Sequence, residues 1–301
     1  MNLAEFSFVK DGFESMTQVF SKHDCTQLLS KAMSSRDFKN IFMSESDYRK
    51  NPKQIGNAPR PGRNLLAKLD TEFIFSNSNF LQTMTRLLGP RWRVLDYKFV
   101  VGLEDEAIPD WISEELADRP VANVGAYVKE AFRDMTYFRG IDFHQDIIDF
   151  PDREADFITV YIYLDDVDES SAPLVIIPRS HQFGATIFPH NLKQKSDGSY
   201  IYQDDLGKQM TLSSVSLTGQ VGTMYFWHSA ILHGTQPTIG NERRISVRIL
   251  VEKNSRSLKS CELDEVNSEI RGPLALGMTR RDLDDQGNSV LRQNIINSSK
   301  N

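Results

Sequence analysis

From residue 91 to residue 252 the chain offers a succession of strands, interrupted by a long, partly helical segment over 103–139. The runs are RWRVLDYKFVV (91–101), FITVYIYLD (157–165), PLVIIP (173–178), GTMYFW (222–227) and RRISVRILVE (243–252). Each is short and rich in β-branched and aromatic residues, and Gly, Pro, Asp or Ser fills the segments between them. Parallel strands need helical crossovers, so this succession predicts an antiparallel sandwich or barrel. Helical signals precede it. Residues 14–34 carry Met16, Val19, Phe20, Leu28, Leu29 and Met33 at mixed three- and four-residue spacing. Residues 79–88 are clearer: Phe80, Leu81, Met84, Leu87 and Leu88 form one face, Asn77 or Ser78 can cap it, and Gly89-Pro90 stops it.

The expected architecture is therefore mainly β with flanking helices packed outside a jelly roll. No repeat, low-complexity tract or linker divides the 301 residues. A single domain is expected: a helical part over 1–90, a core over about 91–252, and a polar, partly loose extension over 253–301. The net charge of −6 lacks a basic footprint, so nucleic acid is not an expected partner. Cys25 and Cys261 make neither a disulfide framework nor a cysteine-based zinc site. The N-terminus does not read as a signal peptide, and no apolar run approaches a membrane span. A cytoplasmic location is expected; the oligomeric state is left open.

Phe143-His144-Gln145-Asp146 sets a histidine and an acid two residues apart before an apolar run. With 6 His and 41 Asp+Glu in the chain, roughly 0.8 such pairs arise by chance, so the pair alone decides little. Period-two geometry puts His144 and Asp146 on one side of an extended segment. A third metal ligand would have to come from His181, His190, His228 or His233, because His23 sits in the helical region. The stretch GTMYFWHSAILHGTQPTIGNERRISVRI adds a receiver. Arg244 follows His233 by eleven residues, and Ser246 shares its strand face while Ile245, Val247 and Ile249 take the other. An inward guanidinium beside a hydroxyl suits a carboxylate. Two histidines and one carboxylate form the facial triad of non-haem iron oxygenases.

The motifs HQD followed by FP, YIYLDDVDESSAPLVIIPRSH, and GTMYFWHSAILHGTQP with its later RR pair resemble the phytanoyl-CoA dioxygenase family in order and spacing. The similarity runs from about residue 87 to 252. It implies a double-stranded β-helix (jelly roll, cupin-like) core with Fe(II) held by His144, Asp146 and His233. It also implies 2-oxoglutarate on Arg244 with Ser246, O2 as oxidant, and ascorbate as a supporting reductant. Gln145, Lys98 and Thr235 resemble positions lining the co-substrate pocket. The implied reaction oxidises a small molecule by hydroxylation, desaturation or ring closure, with 2-oxoglutarate decarboxylated to succinate. Two alternatives stand beside it: a related halogenase, opposed by the presence of Asp146, and a non-catalytic binding module of the same fold. Ile162 and Ala172 depart from the family's common aromatic and glycine. Arg243 is expected to pair with Glu242, and Arg248 to touch substrate or an ion-pair partner. His181 and His228 read as structural. Residues 49–68 carry six basic side chains and no acid, a solvated loop or a lid favouring a carboxylate-bearing substrate. The segment 103–139, with Trp111, Tyr127 and Phe132, could wall the substrate.

Overall fold

A computed structural model of the chain describes residues 3–50, 63–118, 121–236, 243–254 and 260–283, with Leu291 and Ile295. The described strands are β1 (Phe13–Met16), β2 (Trp92–Gly102), β3 (Ala122–Asn123), β4 (Thr136–Arg139), β5 (Ile141–His144), β6 (Phe157–Tyr163) and β7 (Leu174–Ile177). They continue with β8 (Asn191–Gln194), β9 (Tyr200–Gln203), β10 (Gln209–Leu212), β11 (Val215–Leu217), β12 (Met224–His228), β13 (Leu232–Thr235) and β14 (Arg244–Lys253). A seven-stranded sheet runs β1-β12-β6-β14-β2-β4-β3, a four-stranded sheet runs β11-β7-β13-β5, and β10-β9-β8 form a small third sheet. This is the expected jelly roll, with almost all pairing antiparallel and β2 with β4 parallel.

Alternation along the large sheet explains why its central strands are apolar on both faces. Every residue of β6 is buried. Ile158, Val160 and Ile162 join Ile245, Val247 and Ile249 in a core shared with the helices. Tyr161 and Tyr163 face the other way, into the barrel, with Tyr225, Trp227 and Ile176. The departure at Ile162 therefore falls on the helix side. On that side the helix Lys22–Ser34 is capped by Ser21, and the helix Ser78–Leu88 by Asn77. The second buries Phe80, Met84, Leu87 and Leu88, whereas Leu81, expected on the same face, is exposed.

Two expectations about the flanks change. Residues 13–16 are not helical; they form β1, which extends the large sheet beside β12. Mixed apolar spacing over so short a run does not separate strand from helix, and the neighbouring edge decides. The polar extension is anchored rather than loose over Glu262–Glu269, a helix that buries Leu263 and Val266.

Candidate metal and carboxylate site

His144 ends β5 and lies directly opposite His233 of β13 in the antiparallel register. Their ring centroids are 4.3 Å apart. Gly234 makes this close pairing possible, since a Cβ there would stand 2.6 Å from the Ile141 carbonyl oxygen. His144 Nδ1 lies 2.9 Å from the Asp142 carbonyl, and His233 Nδ1 lies 3.2 Å from the Ile231 carbonyl. A carbonyl only accepts, so Nδ1 carries the proton in both rings and Nε2 keeps its lone pair.

Asp146 opens a short 3-10 turn after β5 and crosses to the large sheet. Its Oδ2 accepts from Thr159 Oγ1 at 2.5 Å and from Trp227 Nε1 at 3.1 Å. Its Oδ1 accepts from Arg248 Nη2 at 2.7 Å. Burial would raise the Asp146 pKa, but Arg248, then His233, His144 and Thr159, outweigh it and hold the carboxyl well below the usual range. Burial, followed by the field of His144, pushes His233 down to about 3. One ligand atom from each of His144, Asp146 and His233 lies within 4.8 Å of the others. One carboxylate and two neutral imidazoles with bare Nε2 atoms suit a divalent metal. Three protein donors still leave a lone pair on Oδ1.

A second cluster lies along β14. Arg244 is 6% exposed and Ser246 is fully buried. Arg244 Nη1 donates to the Ala172 carbonyl. Arg244 Nε, Ser246 Oγ and Tyr161 Oη are buried without hydrogen-bond partners. Tyr161 is raised by burial first, while Arg244 and Ser246 act on it in the opposite sense. Three neighbouring polar groups with unused capacity fit an absent carboxylate, since buried polar groups are ordinarily paired. Ala172, the departure from glycine, occupies the left-handed region at φ 49°. Tyr161 escaped the sequence reading, although the alternation that turns Arg244 inward also places Tyr161 among inward residues.

The other expected residues divide. Thr235 is buried two residues beyond His233 on the same strand. Gln145 does not join the cluster. Its Nε2 donates to the Gly184 carbonyl at 2.9 Å and the Ala230 carbonyl at 2.7 Å, and its Oε1 accepts from Thr186 N–H at 2.9 Å. Alternation turns it away from His144 and Asp146. Lys98 pairs in register with Arg248, whereas Arg244 pairs with Gly102. Four strand residues, about 13 Å, separate these positions. Lys98 therefore stands at the Asp146 end; burial, then Arg248, pushes it down to about 8. Arg243 binds Glu104 and lies 4.2 Å from the centre of the Phe38 ring; Glu242 is outside the described residues. His228 Nδ1 accepts from Ala230 N–H, and its Nε2–H donates to Asn267 Oδ1, fastening the C-terminal helix. His181 packs beside it, ring centroids 5.6 Å apart, and His23 is exposed.

Residues 51–62 of the basic segment lie outside the described residues. On its flanks Arg49 pairs with Glu45 and Glu115, Lys50 with Asp47, and Arg63 with Glu130. Tyr48 packs at a tilt against Trp111 and Tyr127, so this flank rests on the 103–139 segment.

Fold and site together define a jelly-roll domain with a His-Asp-His cluster and a buried arginine receiver. Residues 127–246 match the phytanoyl-CoA dioxygenase (PhyH) family model. Among curated proteins, the probable alpha-ketoglutarate-dependent hypophosphite dioxygenase of Stutzerimonas stutzeri is 27% identical over 106 residues, 35% of this chain and 36% of that protein. The match thus spans about a third of that relative. Among solved structures, the apo non-heme monooxygenase ThoJ has a TM-score of 0.50 at 14% identity, covering 84% of this chain and 77% of that one. Apo EctD from S. alaskensis has a TM-score of 0.48 at 15% identity, covering 93% and 90%. No described helix is long and apolar enough to cross a membrane.

Proposed function

We propose that this protein is an Fe(II)/2-oxoglutarate-dependent oxygenase that oxidises a small molecule. The observation that carries the reading is the pairing of His144, Asp146 and His233 with the unsatisfied Arg244, Ser246 and Tyr161. His144 and His233 would hold iron through Nε2, and Asp146 through a carboxylate oxygen. Arg244 and Ser246 would receive the far carboxylate of 2-oxoglutarate, with Tyr161 beside them. When bound, iron and 2-oxoglutarate supply the oxidising power, with O2 consumed and succinate and CO2 released.

The chain's own part is positioning. Asp142 and Ile231 carbonyls orient the two imidazoles, and Thr159, Trp227 and Arg248 orient Asp146. The inward tyrosines and Trp227 keep water from the receiver. A carboxylate-bearing substrate rests on the basic segment 49–68, of which residues 51–62 lie outside the described residues and Arg49, Lys50 and Arg63 have acidic partners. The Asp146 carboxylate supports an oxygenase over a halogenase. Succinate release from 2-oxoglutarate, measured with Fe(II), ascorbate and O2, separates an enzyme from a binding module. Wild-type protein that binds Mn(II) and 2-oxoglutarate yet never forms succinate, across a broad metabolite screen, would leave only the module.

A further inference from the structure

A cation on the inward face of the large sheet has no partner among the described residues. Lys98 of β2 stands directly opposite Arg248 of β14. Residues opposite one another in an antiparallel pair share a face, their Cβ atoms about 4.5–5.5 Å apart. Arg248 faces the metal cluster, since it donates to Asp146, so Lys98 faces it too. The burial of its neighbours agrees. Phe99 and Val101 lie in the core on the helix side, and Val100 lies in the barrel. Alternation then turns Lys98 inward with Val100.

The barrel is open at this end. Along the inward face of β2, exposure falls from the Asp96 side chain, 45%, through the partly buried Lys98 to Val100, 3%. Among the described residues no hydrogen bond or ion pair closes on the Lys98 ammonium. The acids whose charge reaches it are Asp96, Asp149 and Asp146, and each already meets a guanidinium. Asp146 accepts from Arg248 at 2.7 Å, Asp96 lies 3.9 Å from Arg248 Nη1, and Asp149 lies 3.4 Å from Arg280 Nη1. A partly buried ammonium with no anion of its own costs stability until a ligand supplies one.

A second polar group is stranded beside it. β2 and β4 run parallel, with Val100 opposite Thr136 and Gly102 opposite Phe138. Tyr137 belongs to the helix-side core and Phe138 packs in the barrel, so Thr136 also points inward. It is 2% exposed, and its Oγ1 has no hydrogen-bond partner. Strand spacing and rise set Lys98 and Thr136 about 8 Å apart at Cα on one face. Together they offer an ammonium and a hydroxyl, donors for the two oxygens of a carboxylate. This pair is distinct from the co-substrate receiver. Val100 is opposite Ser246 on one side and Thr136 on the other, and so stands between them.

We propose that Lys98 and Thr136 receive a carboxylate of the substrate, which makes the substrate class a carboxylic acid. The inference rests on the oxygenase reading above and deepens it. The acid enters the open end of the barrel at Asp96, its carboxylate sits against β2 and β4, and Val100 keeps it apart from 2-oxoglutarate. With Asp96 and Asp146 close by, the subsite suits a single negative charge rather than a phosphate dianion.

The test uses the full chain with Mn(II) and saturating 2-oxoglutarate, without O2, and carboxyl-13C propionate as the probe. Enhanced relaxation of the 13C signal by Mn(II) should saturate with propionate, and propionamide and inorganic phosphate should not compete for it. Lys98→Met should weaken propionate about tenfold and Thr136→Val about threefold, and Lys98→Arg should restore most of the affinity. The 2-oxoglutarate affinity of Lys98→Met should stay within about threefold. Its melting temperature should hold or rise, because the substitution removes an unpaired ammonium; a lysine with a structural role would lower it. Propionate that fails to bind, that propionamide or phosphate displaces, or that binds Lys98→Met as well as wild type would overturn the inference. So would a tenfold loss of 2-oxoglutarate affinity in Lys98→Met, which would give the lysine to the co-substrate. Wild-type protein that takes up Mn(II) but binds no 2-oxoglutarate would defeat the oxygenase reading. Propionate binding to the Mn(II) form and to its Lys98→Met variant would then decide the subsite separately.

Discussion

The metal cluster and the carboxylate receiver lie in one barrel but differ in how much of their hydrogen-bonding capacity is in use. Asp146 already accepts three bonds, and both ligand imidazoles are tied at Nδ1. Arg244 donates to the Ala172 carbonyl, while Arg244 Nε and the Ser246 and Tyr161 hydroxyls find no geometric hydrogen-bond partner. The first region is held in shape by protein alone and needs a cation only at its bare positions. The second has buried polar groups that a bound carboxylate would satisfy. Removing a group from the first should therefore cost stability as well as binding, whereas removing one from the second should cost binding almost alone.

The largest effect is expected at Asp146. Asp146→Ala deletes a ligand and strands the buried Arg248 guanidinium. Loss of about 3–5 kcal/mol of stability is expected from an uncompensated buried charge. Mn(II) binding by calorimetry should fall at least about a hundredfold. Adding Arg248→Met should recover much of the melting temperature and none of the metal affinity. Normal Mn(II) uptake by Asp146→Ala would remove the ligand assignment.

Arg244→Met probes the other region. The 2-oxoglutarate affinity should drop about ten- to a hundredfold, from the loss of charge-assisted bonds. Mn(II) binding should hardly move. Arg243→Ala should do the reverse, keeping 2-oxoglutarate affinity while losing about 1–2 kcal/mol through Glu104 and Phe38. If the two variants exchange behaviour, the inward parity of β14 is wrong.

Acidification acts on the fold rather than on either region, through the buried histidines His181 and His228. Burial pushes His181 down to about 3 and His228 to about 4. The unfolded chain titrates near 6.5, so between about pH 6.5 and 4 it binds protons that the folded chain refuses. Stability should be complete above that window and fall as pH drops through it, by up to about 1.4 kcal/mol per unit for each ring. Calorimetric melting of the metal-free protein from pH 7.5 to 5 reads this. A flat profile would mean that these rings are protonated in the fold. The smallest effect is expected from Ala172→Gly. Relief of a left-handed alanine, about 1 kcal/mol, is nearly cancelled by the glycine's extra unfolded-state freedom. A melting shift above a few degrees would show that Ala172 does more than lend its carbonyl to Arg244.

Much of this was legible in one dimension. The alternation of β14 sorts Arg244 and Ser246 from Ile245, Val247 and Ile249, and the structure keeps that sorting. The cap at Asn77 and the stop at Gly89 mark a helix that forms where expected. Gln145 was less legible. Its place between His144 and Asp146 suggests the pocket, yet alternation sends it outward into bonds with residues 184, 186 and 230. β1 was missed because four residues carry too little period to outweigh a helical neighbourhood. Tyr161 was visible only as one aromatic among several in a strand buried on both faces.

Local spacing determined the strands, the parity of their faces, and the pairing of a histidine with an acid two residues on. These follow from backbone geometry, which repeats every two or 3.6 residues and needs no knowledge of distant chain. Tertiary structure alone decided which histidine meets His144, because 89 positions separate it from His233 and only the register of β5 against β13 closes that gap. It also decided that Arg248 serves Asp146 rather than open solvent.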